Sequence, residues 1–221
     1  MRALYQFGKI GRLRYISHLD LQRFMQRALR RTGLPVAYSM GFNPHAQMAF
    51  ASALAMGHSS ECELVDVRLS QPIEEDFALD QLRRALPPEM PVYRVRLVDD
   101  RHPALMATLQ YADYRIELSG DGAEQAAAAV DGYMAQQSVI ALRRTKSGER
   151  PADIRAMTAA LYAQGAVLTA RLQLTEAATL KPDLLIQTLS GRAGAPLPDA
   201  RVHRTMLLGV RDGQYLPLID M

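Results

Sequence analysis

Residues 11–35 read GRLRYISHLDLQRFMQRALRRTGLP, and the order of elements in the chain follows from how this stretch is divided. Leu21, Phe24, Met25, Ala28 and Leu29 recur at i, i+3, i+4, i+7 and i+8, the apolar stripe of an amphipathic helix. Ser17 is a natural N-cap, and Asp20 three residues on resembles the acidic partner of a capping box. Gly33 and Pro35 stop the helix. At about 100° per residue, Arg23, Arg27, Arg30 and Arg31 fall on the face opposite the stripe. Arg12 and Arg14 join them from the preceding segment.

Working outward, residues 2–8 (RALYQFG) have the composition of a strand. VAYS (36–39) and QMAFASAL (47–54) are short strand candidates on either side of the turn-rich MGFNPH. CELVDVRLS (62–70) alternates apolar and polar residues as a half-buried strand does. IEEDFALDQLRRAL (73–86) reads as a second helix, ended by Pro87 and Pro88, and PVYRVRLV as a further strand. The order strand, helix, strand pair, helix, strand is the split βαβ, or ferredoxin-like, pattern. After a linker at 101–110 the order repeats. ADYRIELS is a strand and GAEQAAAAVDGYMAQQ a helix. SVIALRRT and GAVLTARLQL are strands, with KSGERPADIRAMTAALYA between them. KPDLLIQTLS is a helix with Pro182 in its first turn, and RVHRTMLLGV is a last strand. The expected fold is α+β: two tandem ferredoxin-like units with antiparallel sheets, 1–100 and 111–221. The repeat is one of element order, without residue identity between the halves.

The chain has 221 residues and a net charge of +3, unevenly placed. Residues 1–60 carry eight Arg or Lys and a single acid, Asp20, whereas residues 61–100 carry five basic and ten acidic residues. Such asymmetry can become a surface field that attracts polyanions. Only Lys9, Lys146 and Lys181 are lysines. The rest is arginine, whose planar fork suits phosphate. No run of about 18 apolar residues exists to span a membrane, and the charged N-terminus lacks the apolar stretch of a secretory signal. The expected location is the cytoplasm. One cysteine, Cys62, excludes an internal disulfide and a cysteine-ligated cluster.

Ser17, His18 and Asp20 lie within four positions and invite comparison with a catalytic triad. Adjacency in sequence does not supply a triad's spatial order, and Ser17 and Asp20 have a simpler use as caps. Gly41, Phe42, Asn43, Pro44 and His45 form a turn with chemistry of its own. Gly41 tolerates positive φ, Pro44 fixes its own, Phe42 offers a ring to stack on a base and His45 a proton donor. His18, His45, His58 and Asp20 lack the short helical spacing of a metal site, so no metal is expected. RRTKSGERPADIR (143–155) is a second basic region with Arg143, Arg144, Lys146 and Arg155. It does not have the spacing of a phosphate-cradling loop.

The block from GRLRYISHLDLQRF through RALRRTGLP, YS and GFNPH, with the later RRTKSGERPADIR, KPDLLIQTL and VHRT, resembles a bacterial radical-SAM-linked family of unknown function, over nearly the whole chain. Members occur fused to or encoded beside radical-SAM proteins, often near ribosomal-protein and ribonuclease genes. The resemblance therefore implies a radical-SAM partner, with the iron–sulfur cluster and S-adenosylmethionine on that other chain, since C-x-x-x-C-x-x-C is absent here. It marks Ser17, His18, Asp20, Arg27, Arg30, Arg31 and residues 41–45 as a motif surface rather than an established catalytic site. The expectation is a non-catalytic accessory or substrate-presenting protein that binds RNA or a ribonucleoprotein. Two alternatives stand beside it. One is a metal-independent RNA endonuclease like the CRISPR RNA-processing enzymes, with His18 or His45 as acid or base and Lys146 or an arginine on the phosphate. The other is a protein–protein adaptor.

Overall fold

The computed structural model describes residues 1–145 and 148–221, Arg144 and Thr145 by their backbone alone. The chain is a mixed α/β protein, with five α-helices and predominantly antiparallel strands among the described residues, and it divides into two compact units.

The first unit comprises Met1–Leu109 with Gly209–Met221. Strand β1 (Arg2–Lys9) lies between β3 (Ser59–Arg68) and β4 (Val92–Val98), antiparallel to both. Val65 of β3 pairs with Tyr5 on one side and with Phe50 of β2 (Met48–Phe50) on the other, so the strand order is β4-β1-β3-β2. Ala3, Tyr5, Phe7, Val65 and Val67 share one face, the period of two expected of side chains along strands. Helices α1 (His18–Arg31) and α2 (Glu75–Ala85) cover that face. Leu21, Met25 and Leu29 of α1 and Ala78 and Leu82 of α2 are buried in the same core. Full burial of each large apolar side chain here stabilises by roughly 1.5–3 kcal/mol.

Local chemistry sets the helix ends. Helix α1 starts at the Ser17 cap. At its other end Thr32 takes an extended backbone and its hydroxyl donates to Leu29 O at 2.7 Å, one turn back. Helix α2 stops before Pro87, which has no N–H to continue it. VAYS does not form a strand: Val36 and Tyr38 make isolated bridges, to Leu69 and Ala46, and QMAFASAL keeps only the three residues of β2. Prolines at 35 and 44 interrupt the ladder there.

The stretch 101–110 contains a short helix, α3 (Leu105–Thr108), with Leu105 and Leu109 buried. The C-terminal residues close on β4. Arg94 pairs with Asp220 at 2.7 Å, and Arg96 Nη1 donates to Ile219 O and Met221 O at 2.8 and 2.9 Å.

The second unit is Gln110–Leu208. Strands β5 (Tyr111–Ser119), β8 (Thr158–Gln164), β9 (Val167–Gln173) and β10 (Asp199–Arg211) run in the order β10-β5-β9-β8, antiparallel throughout. Helices α4 (Ala123–Met134) and α5 (Pro182–Ala193) pack on each other, and Pro182 opens α5. Between α4 and β8, strands β6 (Ile140–Thr145) and β7 (Gly148–Asp153) form a separate two-stranded hairpin. SVIALRRT is thus half of that ribbon rather than a member of the larger sheet, and β8 comes from the segment that follows it. Strand β11 (Gln214–Pro217) pairs with the end of β10. Gly122, the residue before α4, has φ +84°, and a Cβ there would stand 2.1 Å from Pro196 O. Only glycine fits that approach.

Candidate nucleic-acid interface

The opening of α1 resolves the use of SHLD. Ser17 Oγ accepts the Asp20 N–H at 3.1 Å and donates to Asp20 Oδ2 at 2.6 Å. The carboxylate meets the cap hydroxyl, whereas in a capping box it reaches the cap residue's backbone N–H. Asp20 also stands 3.4 Å from Arg23, with both groups exposed.

His18 turns away from this pair. Its ring meets Phe50 edge-on at 5.4 Å, and Gln22 Nε2 lies 3.2 Å from its Nε2. Its Nδ1 is buried and has no partner among the described residues. Burial lowers the His18 pKa; the Glu63 charge opposes the shift and Lys9 adds to it. His45 lies elsewhere, with its N–H donating to Ser39 Oγ at 3.0 Å. Among the described residues no hydrogen bond or ion pair joins His18 or Asp20 to His45, and no cluster of His, Cys, Asp and Glu is placed to hold a metal ion.

The arginines are arranged as the helix phase requires. Arg12, Arg23, Arg27, Arg30 and Arg31 are all exposed. Arg12 and Arg27 make no hydrogen bond or ion pair among the described residues. Arg30 donates to Pro44 O at 3.3 Å, and Arg31 to Ala85 O at 3.0 Å. These bonds go to backbone carbonyls and leave the guanidinium charges unneutralised. Arg14 differs. Its guanidinium stacks 4.7 Å over the Tyr15 ring and bonds the Tyr15 hydroxyl at 2.6 Å, while its Nε is buried.

The Arg30 bond also ties α1 to the Gly41–His45 loop. The Tyr38–Ala46 bridge and the Ser39 N–H to His45 O bond at 2.9 Å close the base of that loop. Gly41 has φ +126°, which an L side chain rarely adopts. The loop holds Phe42 fully in solvent, with Met40 98% exposed beside it and Asn43 and Pro44 exposed as well. Full exposure of a phenylalanine ring is unfavourable in water, and here it leaves both faces of the ring accessible.

The second basic region behaves differently. Arg155 is a staple: its Nε donates to Met134 O at 3.2 Å and its Nη1 to Thr158 O at 3.1 Å, joining the end of α4 to β8. Arg143 Nη1 lies 3.4 Å from Thr179 O. The side chain of Arg144 and all of Lys146 lie outside the described residues.

Reasoning from sequence passed over the burial of three charged or titratable residues of the first unit: Lys9, His58 and Glu63. Lys9 Nζ donates to Ile16 O at 3.1 Å. Glu63 had a signal. It shares its phase along β3 with Val65 and Val67, which places a carboxylate on the core face. Gln81 and Arg84, near the end of α2, were passed over too, since each looks like an ordinary polar position of a helix.

Fold and site together define a mixed α/β protein with an outward, arginine-rich helix face. Residues 2–182 match the family described as an uncharacterized protein conserved in bacteria (DUF2344), and the chain belongs to that family. No curated protein matches the chain. Among solved structures, a crystal structure of an unknown protein from Galdieria sulphuraria is similar over 92% of this chain and 97% of that one, at 12% identity and a TM-score of 0.26. No helix among the described residues is long and apolar enough to cross a membrane.

Proposed function

We propose that this protein binds single-stranded RNA across α1 and the Gly41–His45 loop, and presents it to a radical-SAM enzyme on another chain in the cytoplasm. The observation that carries the RNA half is the bond from Arg30 to Pro44 O, which sets a fully exposed Phe42 beside a stripe of unneutralised arginines. Single-stranded nucleic acid is held by that combination: cations along the backbone and an aromatic face under a base. Each unit is read as a ferredoxin-like (split βαβ) fold, supported by the orders β4-β1-β3-β2 and β10-β5-β9-β8. That architecture is used by many single-strand binders, an argument at the level of fold alone. The radical-SAM partner rests on the sequence resemblance, and residues 1–221, with Cys62 as their one cysteine, do not supply the ligands of its cluster. Binding is favoured over cleavage because no hydrogen bond or ring contact among the described residues links His18 and His45 into one acid–base pair.

Two measurements test the reading. Fluorescence anisotropy with labelled single-stranded RNA is expected to show binding that Phe42→Ala weakens by about 1–3 kcal/mol, the range for one stacked base. Affinity purification from a bacterial lysate at low salt, with and without nuclease, identifies the companions. No RNA on the protein, and no weakening by Phe42→Ala, would refute the RNA half. Failure to recover a radical-SAM protein in either purification would refute the partner half.

A further inference from the structure

The arginine stripe ends in a cleft. Phe24 and Arg31 of α1, Gln81, Arg84 and Ala85 of α2, and Leu86 and Pro87 beyond it line an open cleft of about 630 Å³, within the range of about 300–1,000 Å³ usual for small-ligand sites. Arg23, Arg27 and Arg31 are spaced four residues apart, about 6 Å along the helix, so the cleft continues a line of cations rather than standing alone. Its lining is divided by chemistry. Phe24, Leu86 and Pro87 supply flat apolar surface. Arg31 keeps its charge, since its one hydrogen bond goes to Ala85 O. Arg84 is exposed and makes no hydrogen bond or ion pair among the described residues.

Gln81 adds direction. Its Oε1 accepts the Gly33 N–H at 2.9 Å, which fixes the amide so that the NH2 group remains to donate. The cleft therefore holds two guanidiniums for an anion, an apolar floor for a planar ring, and an oriented donor for the edge of that ring. A phosphate-bearing aromatic heterocycle satisfies all three.

We propose that the cleft between α1 and α2 takes one nucleotide of the bound strand, with its phosphate between Arg31 and Arg84 and its base against Phe24, Leu86 and Pro87. The Gln81 NH2 donates to a ring nitrogen or carbonyl of that base. This deepens the RNA-binding reading and rests on it for the rest of the strand's path.

The test uses the full chain and two probes, a labelled 12-nucleotide single-stranded RNA and uridine 5′-monophosphate. Arg84→Ala is expected to weaken the 12-mer about tenfold, the loss of one hydrogen-bonded charge contact. Gln81→Glu keeps the acceptor for Gly33 N–H while removing the donor and adding negative charge, so it is expected to weaken the 12-mer at least as much at an unchanged melting temperature. In NMR, uridine 5′-monophosphate is expected to shift the Gln81 side-chain amide in the wild type, and uridine is expected to shift it less. If the 12-mer binds the wild type but binds Arg84→Ala and Gln81→Glu equally well, the cleft proposal is overturned and the RNA reading stands. If the 12-mer does not bind while the mononucleotide still shifts Gln81, the cleft is upheld and the wider RNA path is wrong. If neither probe binds, both fall.

Discussion

Replacing Arg23 and Arg27 together with alanine separates an anion-binding face from an ordinary solvated one. Neither residue supports the fold. Arg27 has no partner among the described residues, and Arg23 has only Asp20 at 3.4 Å, with both side chains more than half exposed. An exposed pair of this kind contributes about 0–1 kcal/mol, and alanine's helix propensity offsets part of its loss. The melting temperature should therefore move by no more than about 2–4 °C. Affinity for RNA should respond far more. If Arg23, Arg27, Arg30 and Arg31 each neutralise one phosphate, the slope of log K against log salt is about −2.8 for a single strand. Between 50 and 200 mM salt the wild type then loses about 50-fold in affinity. The double variant, with a slope of about −1.4, loses about sevenfold over the same range. Anisotropy titrations at four salt concentrations measure both slopes directly. Equal slopes for the two proteins would refute the argument, since Arg23 and Arg27 would then carry none of the electrostatic contact.

Ser17→Ala removes an acceptor from Asp20 N–H and is expected to cost about 1 kcal/mol in urea unfolding, with Ser17→Asn restoring most of it; a variant as stable as the wild type would show that the cap contributes nothing. Gly122→Ala forces a left-handed backbone onto a residue whose Cβ would stand 2.1 Å from Pro196 O, and should destabilise by about 2–5 kcal/mol; near-neutral thermal unfolding would contradict the packing there. Burial holds the His18 pKa below its ordinary 6.5, so below that value the unfolded chain binds the proton that the native state refuses. Stability from this group is complete above about pH 6.5 and declines as the pH falls through it toward the lowered native value. His18→Gln should flatten that part of the pH profile of the urea midpoint; an unchanged profile would mean that His18 is not held neutral.

Much of the first unit was legible because its pattern is local. The i, i+4, i+7, i+8 burial of Leu21, Met25, Ala28 and Leu29 is what the periodicity requires, and the opposite phase of the arginines follows without further information. The Ser17 cap was legible for the same reason. The less legible features depend on distant segments. Periodicity marks a strand but does not choose its partner, so SVIALRRT read as a sheet strand although it pairs with residues 148–153 in a ribbon. Residues 101–110 read as a linker because Pro103 and the short LMAT give no repeat to detect, and Leu105 and Leu109 are buried by tertiary packing alone. In the candidate site, the arginines announced themselves by type and phase. The apposition of Arg31, Gln81 and Arg84 did not, since it depends on the packing of α1 against α2.

Why the charge of α1 stays available is answered by where the neighbouring acids are used. Residues 61–100 are rich in carboxylates, and in an unstructured chain they would be free to neutralise the arginines just upstream. The fold holds four of these ten elsewhere. Asp66 is held by the Arg2 guanidinium, with Nε at 3.1 Å from Oδ1. Asp100 takes the N-terminal amine at 2.9 Å and faces Arg68, Glu75 accepts the Leu97 N–H at 2.8 Å, and Asp99 accepts the Arg101 N–H at 2.6 Å. None of these carboxylates bonds or pairs with an arginine of α1. Exposed like charges on one helix face repel one another by a few tenths of a kcal/mol per neighbouring pair. Arg27 and Arg31 stand at that i, i+4 spacing, as do Arg23 and Arg27. A fold that holds these four acids away from α1 while tolerating this repulsion retains positive charge on the helix face, which an incoming chain of phosphates would neutralise. Under the proposed RNA reading, relief of that repulsion would add to the release of counterions from a bound strand, and both contributions would vanish together when salt screens the helix face.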